Sequence, residues 1–116
     1  MRQAGVIAAC GIVALESMID RLAEDHANAK RLAHLLHEIP RLKLNIDEVE
    51  TNMLCVDVSL TGLSSSDFIQ LLASHNVLVS QRSPTEIRIV TNRHHTPGLI
   101  EETARRMRRA IASLRP

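Results

Sequence analysis

From Ala4 to Leu15 the chain reads Ala-Gly-Val-Ile-Ala-Ala-Cys-Gly-Ile-Val-Ala-Leu, without one charged or strongly polar side chain. A segment that is apolar all round must be covered on every side, cross a membrane, or be removed by processing. Spanning a bilayer takes about 20 apolar residues, and this run stops at Glu16. A secretion signal also fits poorly. Arg2 gives only a minimal positive start, few apolar residues precede Cys10, and the apolar run continues beyond it. The segment is therefore expected to be a helix buried between other elements.

The rest of the chain must then build a core of its own. A length of 116 residues allows one domain. The hydrophobic fraction of 45% comes mainly from Ala, Leu, Ile and Val, with one Phe and no Tyr or Trp. Without aromatic faces the chain cannot offer a stacking platform to single-stranded nucleic acid. Its net charge of +1 gives no strong pull toward polyanions. Cys10 and Cys55 lie in apolar settings without metal-ligand or CxxC spacing, and read as buried free thiols of a reducing compartment.

Helix propensity is high from Gln3 to about Ile39, with a bend expected near Glu16 to Asp20. In the second part Ile19, Leu22, His26, Ala29, Ala33 and Leu36 recur at spacings of three and four, the signature of one helical face, while Glu24, Asp25 and Asn28 fall elsewhere. Pro40 stops the helix. Alternation over Leu42, Leu44 and Ile46 predicts a strand, and Met53 to Val58 a second. Ser64 or Ser65 caps a helix reaching about Ser74, with Asp67 in its first turn. Val77 to Val79 and Glu86 to Val90 read as two further strands, and Pro97 opens a last helix with the stripe Ile100, Ala104, Met107, Ile111 and Leu114. This order predicts an α+β domain, its small and mostly antiparallel sheet covered on one face by helices.

Several groups of residues invite a functional reading. His94 and His95 point different ways and lack a nearby third ligand, so a polar loop is the better account than a metal site. His34 and His37 share a helix face but lack a third ligand as well. Arg105, Arg106, Arg108 and Arg109 lie away from the apolar stripe of the last helix and read as a solvated face. Arg2 precedes the apolar helix, and as a terminal residue it need have no role. Arg88 is the most suggestive. Alternation sets it mid-strand on the face opposite Ile87 and Ile89, where its planar fork suits a carboxylate or phosphate. A solvent-exposed arginine, or one paired with Glu86, is an equal reading of the same pattern.

Several blocks then look familiar together. Met1-Arg2-Gln3-Ala4-Gly5, Arg21-Leu22-Ala23-Glu24-Asp25-His26-Ala27-Asn28-Ala29, Thr51-Asn52-Met53 and Ile87-Arg88-Ile89-Val90-Thr91 resemble, in order and at fitting spacing, the C-terminal part of low-specificity L-threonine aldolases. The resemblance implies a cytoplasmic pyridoxal-phosphate enzyme of the aspartate aminotransferase fold type. Such enzymes cleave β-hydroxy-α-amino acids such as L-threonine or L-allo-threonine to glycine and an aldehyde. It implies that Arg88 holds the substrate carboxylate and that Arg2 lies near the cofactor phosphate at a subunit interface. It also implies a homo-oligomer formed through the apolar helix, and no nucleic-acid or membrane partner.

The family's lysine, which holds the cofactor as a Schiff base, has no counterpart here, since Lys30 and Lys43 match other positions. Asn92-Arg93-His94-His95 also stand where the family has a histidine and then an aspartate. The expected organisation is therefore an interdomain helix over residues 1–17 and a small C-terminal domain over 18–116, with the cofactor-binding large domain absent. Such a chain is expected to be a fragment or truncated product, inactive alone and prone to self-association. The alternatives are a stand-alone amino-acid-binding domain, a non-catalytic partner that docks through its first helix, or a remnant without function.

Overall fold

The computed structural model describes residues 2–116, so Met1 of the expected 1–17 segment lies outside the described residues. The elements run α1 (Ala4–Ser17), α2 (Leu22–His37), β1 (Met53–Asp57), α3 (Ser65–Ser74), β2 (Ser80–Gln81), β3 (Glu86–Val90) and α4 (Pro97–Ala112). The three strands form one antiparallel sheet in the order β1-β3-β2. The fold is α+β, as the pattern of the sequence predicts.

Strand alternation sorts the sheet into two faces. Leu54 lies opposite Ile89 and Val56 opposite Ile87, and all four are buried. They meet Leu32 and Leu36 from α2, Phe68 and Leu72 from α3, and Ile100 and Met107 from α4 in a single core. The other face carries the pair Cys55 and Arg88, flanked by Met53 with Val90 and by Asp57 with Glu86. Arg88 and Val90 are exposed there.

Local chemistry fixes the helix ends. The Ser64 hydroxyl accepts a hydrogen bond from Asp67 N and donates to Asp67 Oδ2, a reciprocal cap for α3. That helix closes with Asn76 in the left-handed region at φ 58. There Asn76 N donates to Ala73 O and Val77 N to Leu72 O, which satisfies two carbonyls of the last turn. Thr96 caps α4, its side chain accepting from Leu99 N, with Pro97 in the first turn.

Three expectations about the secondary-structure elements need correction. The segment Leu42–Ile46 is not a strand: only Lys43 bridges to Asp57, and Ile46–Glu48 is a 3-10 turn. Asn45 accepts from Asp47 N with its own side chain, a local bond that competes with a ladder. Residues 77–79 also stay outside the sheet, because Val77 closes α3 and the pairing strand begins at Ser80. In α2 the buried face is Asp25, Asn28, Ala29, Leu32, Ala33 and Leu36, whereas Ile19, Leu22 and His26 are exposed. The stripe is rotated because two polar residues are buried with their hydrogen bonds made, which apolar periodicity cannot register.

The first helix forms as expected, but it buries nothing against this chain. No residue of α1 is buried, and Val6, Ile7, Ile12, Val13 and Leu15 are each more than half exposed. Cys10 is correspondingly exposed and Cys55 half-buried, so neither thiol is fully covered as the composition suggested. With α1 projecting, the molecule measures 55 × 29 × 23 Å and its radius of gyration is 16.4 Å. A compact chain of this length would give about 13 Å. No helix among the described residues is long and apolar enough to cross a membrane.

Candidate substrate site

Arg88 sits at the centre of the middle strand, opposite Cys55 on β1 and Ser80 on β2. Its guanidinium has no ion-pair or hydrogen-bond partner among the described residues. Glu86, two positions earlier on the same face, turns instead to Arg82 at 3.7 Å. Arg88 borders an open cavity of about 580 Å³, whose wall includes Val79, Ser80, Val90, His95 and Thr103. The same wall includes the core residues Leu32, Ile89 and Ile100, so the cavity lies at the margin of the sheet. An unpaired guanidinium bordering it can take a small anion through two parallel hydrogen bonds.

The loop that follows Arg88 is tied down by residues the periodicity argument passed over. Thr91 is buried and donates through Oγ1 to Asp25 O at 2.7 Å. Its backbone exchanges with Asn52: Thr91 N donates to Asn52 O at 2.9 Å, and Asn52 Nδ2 donates to Thr91 O at 2.9 Å. Asn28 Nδ2 donates to His95 O at 2.8 Å. Asp25 is held in turn by the two terminal guanidinium nitrogens of Arg21, at 2.6 and 3.1 Å. That hydrogen bond with Asp25 pushes the Arg21 guanidinium above its ordinary value. The Arg21–Ala29 block thus anchors the far end of the arginine strand. The available signal was the recurrence of polar residues at Arg21, Asp25 and Asn28, one helical turn apart.

The other candidates do not join this cavity. Arg2 is exposed ahead of α1. A separate groove along that helix is bordered by Cys10, Val13, Met18 and Arg93. His34, His37 and His94 are exposed, and no cluster of three metal-ligating side chains exists among the described residues. The basic run on α4 is only partly balanced in place. Arg105 and Arg106 both bind Glu102, which their hydrogen bonds hold below the usual carboxylate value. Arg31 pairs with Glu101 on the same helix. Lys30 lies on α2 and Lys43 in the connection before β1, and neither borders the Arg88 cavity.

Residues 1–59 match the family model for beta-eliminating lyases. The chain belongs to that family. It is 38% identical over 96 residues to the probable low-specificity L-threonine aldolase 2 of Arabidopsis thaliana, covering 82% of this chain and 26% of that protein. Against the low specificity L-threonine aldolase of Escherichia coli (strain K12) it is 34% identical over 112 residues, covering 97% of this chain and 32% of the relative. Among solved structures, a PLP-bound aminotransferase candidate from Clostridium difficile 630 superposes with a TM-score of 0.63 at 27% identity. That match covers 87% of this chain and 27% of the other. The chain thus spans between a quarter and a third of the length of the curated relatives it matches. Within the lyase family, its likeness to threonine aldolases extends over nearly its whole length.

Proposed function

We propose that this chain is the C-terminal part of a low-specificity L-threonine aldolase, in which Arg88 binds the carboxylate of the amino-acid substrate. The observation that carries this reading is the unpaired guanidinium of Arg88, mid-sheet beside an open cavity. A bidentate grip on the carboxylate leaves the rest of a β-hydroxy-α-amino acid free to reach chemistry supplied elsewhere in the enzyme. The clamp around Thr91 keeps the end of the arginine strand from shifting.

Pyridoxal phosphate, in this reading, belongs to the complete enzyme. Two observations support this reading: neither lysine borders the Arg88 cavity, and Arg2, the residue assigned to the cofactor phosphate, is exposed ahead of α1, where the rest of the enzyme would complete the site. The chain therefore acts on the substrate side and is inactive alone. We further assign α1 to an interface, covered by the enzyme's large domain or by a neighbouring subunit in a homo-oligomer; residues 18–116 form the small domain. The setting is cytoplasmic.

In the complete enzyme, Arg88→Lys keeps the charge and loses the fork. It should raise KM for threonine by about 10- to 100-fold, because a charged bidentate contact contributes roughly 1.5–3 kcal/mol. Unchanged kinetics would overturn the carboxylate role. The isolated chain, mixed with pyridoxal phosphate and reduced with borohydride, should give no stoichiometric adduct at a single lysine. Such an adduct would overturn its assignment to the substrate side.

A further inference from the structure

Several polar side chains border the Arg88 cavity, and most of their hydroxyls are engaged within the chain. Ser80 Oγ donates to Arg88 O, Thr91 Oγ1 to Asp25 O, and Thr103 Oγ1 to Leu99 O. Asn76, which also borders the cavity, is exposed at the end of α3. His95 differs from all of these. It is half-buried, and its carbonyl is fixed by Asn28. Its ring Nδ1 lies 3.0 Å from Asn92 N. A backbone N–H can only donate, so Nδ1 accepts and the neutral ring carries its proton on Nε2. Nε2 has no partner among the described residues, and the residue lines the cavity that Arg88 borders.

We infer that His95 is a second substrate-contacting residue, donating from Nε2–H to the carboxylate that Arg88 holds. This rests on the carboxylate reading of Arg88 and adds to it a neutral donor of fixed tautomer. A carboxylate has about four lone-pair positions, so an arginine fork leaves some open to a further donor. The Asn92 contact orients the ring, and the Asn28 contact sets the backbone from which it projects. Only the side chain of His95 is assigned contact with the substrate. Asn92 and Asn28 act through it as positioning residues.

The test uses two amide replacements in the complete enzyme, because each mimics one ring nitrogen. His95→Gln reaches the Nε2 position and keeps a cavity donor. His95→Asn can still accept from Asn92 N but presents nothing at Nε2. A substrate contact predicts KM within about threefold of wild type for His95→Gln and raised about tenfold for His95→Asn, the loss of one hydrogen bond to a charged group. The reverse order would mean that His95 only braces its loop, and equal, unperturbed KM values would remove it from the site. Independently of turnover, the imidazole nitrogens should show the Nε2-protonated neutral tautomer by NMR at neutral pH, and the Nε2 resonance should move when glycine is added. A Nδ1-protonated ring or a silent Nε2 would overturn the inference. Arg88→Lys is measured alongside. If it too leaves KM unchanged, the carboxylate reading itself has failed; if it alone raises KM, only the role of His95 has.

Discussion

Helices α1 and α4 are of similar length, yet one is integrated in the fold and the other is not. On α4 the apolar residues Ile100, Ala104, Met107 and Ile111 form one stripe, all buried, and the charged residues occupy the remaining sides. On α1 the apolar residues surround the axis and none is buried. Total hydrophobicity is thus a poor guide to integration within a small domain. A stripe specifies one contacting surface, and this chain contains that surface. An all-round apolar helix requires cover on every side, which three short strands and three other helices do not supply.

This contrast can be broken in four ways. The largest expected effect is at Met107, which is fully buried on α4. Met107→Ala should destabilise the chain by about 2–5 kcal/mol through lost burial and an unfilled cavity, read from denaturant midpoints. A loss below 1 kcal/mol would mean that α4 is not integrated as described. Next is Asn28→Ala, which frees the carbonyl of His95 just ahead of α4 and should cost about 1–3 kcal/mol. Faster amide exchange in residues 92–96 would locate that effect.

Third, Ile12→Ala on α1 should change stability by less than about 0.5 kcal/mol, as for surface positions. Ile12→Glu should nevertheless reduce self-association in sedimentation experiments, because it breaks an exposed apolar surface. A large loss of stability from Ile12→Ala would show that α1 packs on its own chain.

The smallest effect is electrostatic and again falls on α4. Arg106 and Arg105 hold the Glu102 carboxyl below its ordinary value of 4.5. The unfolded chain therefore binds that proton more readily. The stabilisation is present above about pH 4.5 and is lost as pH falls through the lower folded value. Glu102→Gln should flatten that part of the stability–pH curve, and an unaltered curve would show that the pairing contributes nothing.

Much of this fold was legible because it rests on local rules. The Ser64 cap, Pro97 at the start of α4, and the alternation placing Ile87 and Ile89 opposite Arg88 all hold. What escaped was governed by side-chain hydrogen bonds that periodicity does not encode. Asp25 and Asn28 read as surface residues because they are polar, yet they are buried, one gripped by Arg21 and the other bonded to the His95 carbonyl. Leu42–Ile46 alternates like a strand, but Asn45 turns the chain before a ladder can extend. Of the site, the face that carries Arg88 was legible, and the clamp behind Thr91 was not. Its partners, Asp25 and Asn52, are 66 and 39 positions away.

The antiparallel register has one more consequence. Arg88 occupies the central strand, with a neighbour hydrogen-bonded on each side. Were β3 to slip by one residue against its neighbours, every side chain on it would change faces. The guanidinium would then enter the space now held by Ile87 and Ile89, among Leu54, Val56 and Phe68, where no counter-charge awaits it. A buried, unpaired cation is among the most expensive errors a folding chain can make. The misaligned sheet is thereby excluded, and the same side chain that suits an anion also proofreads the pairing of the strands around it.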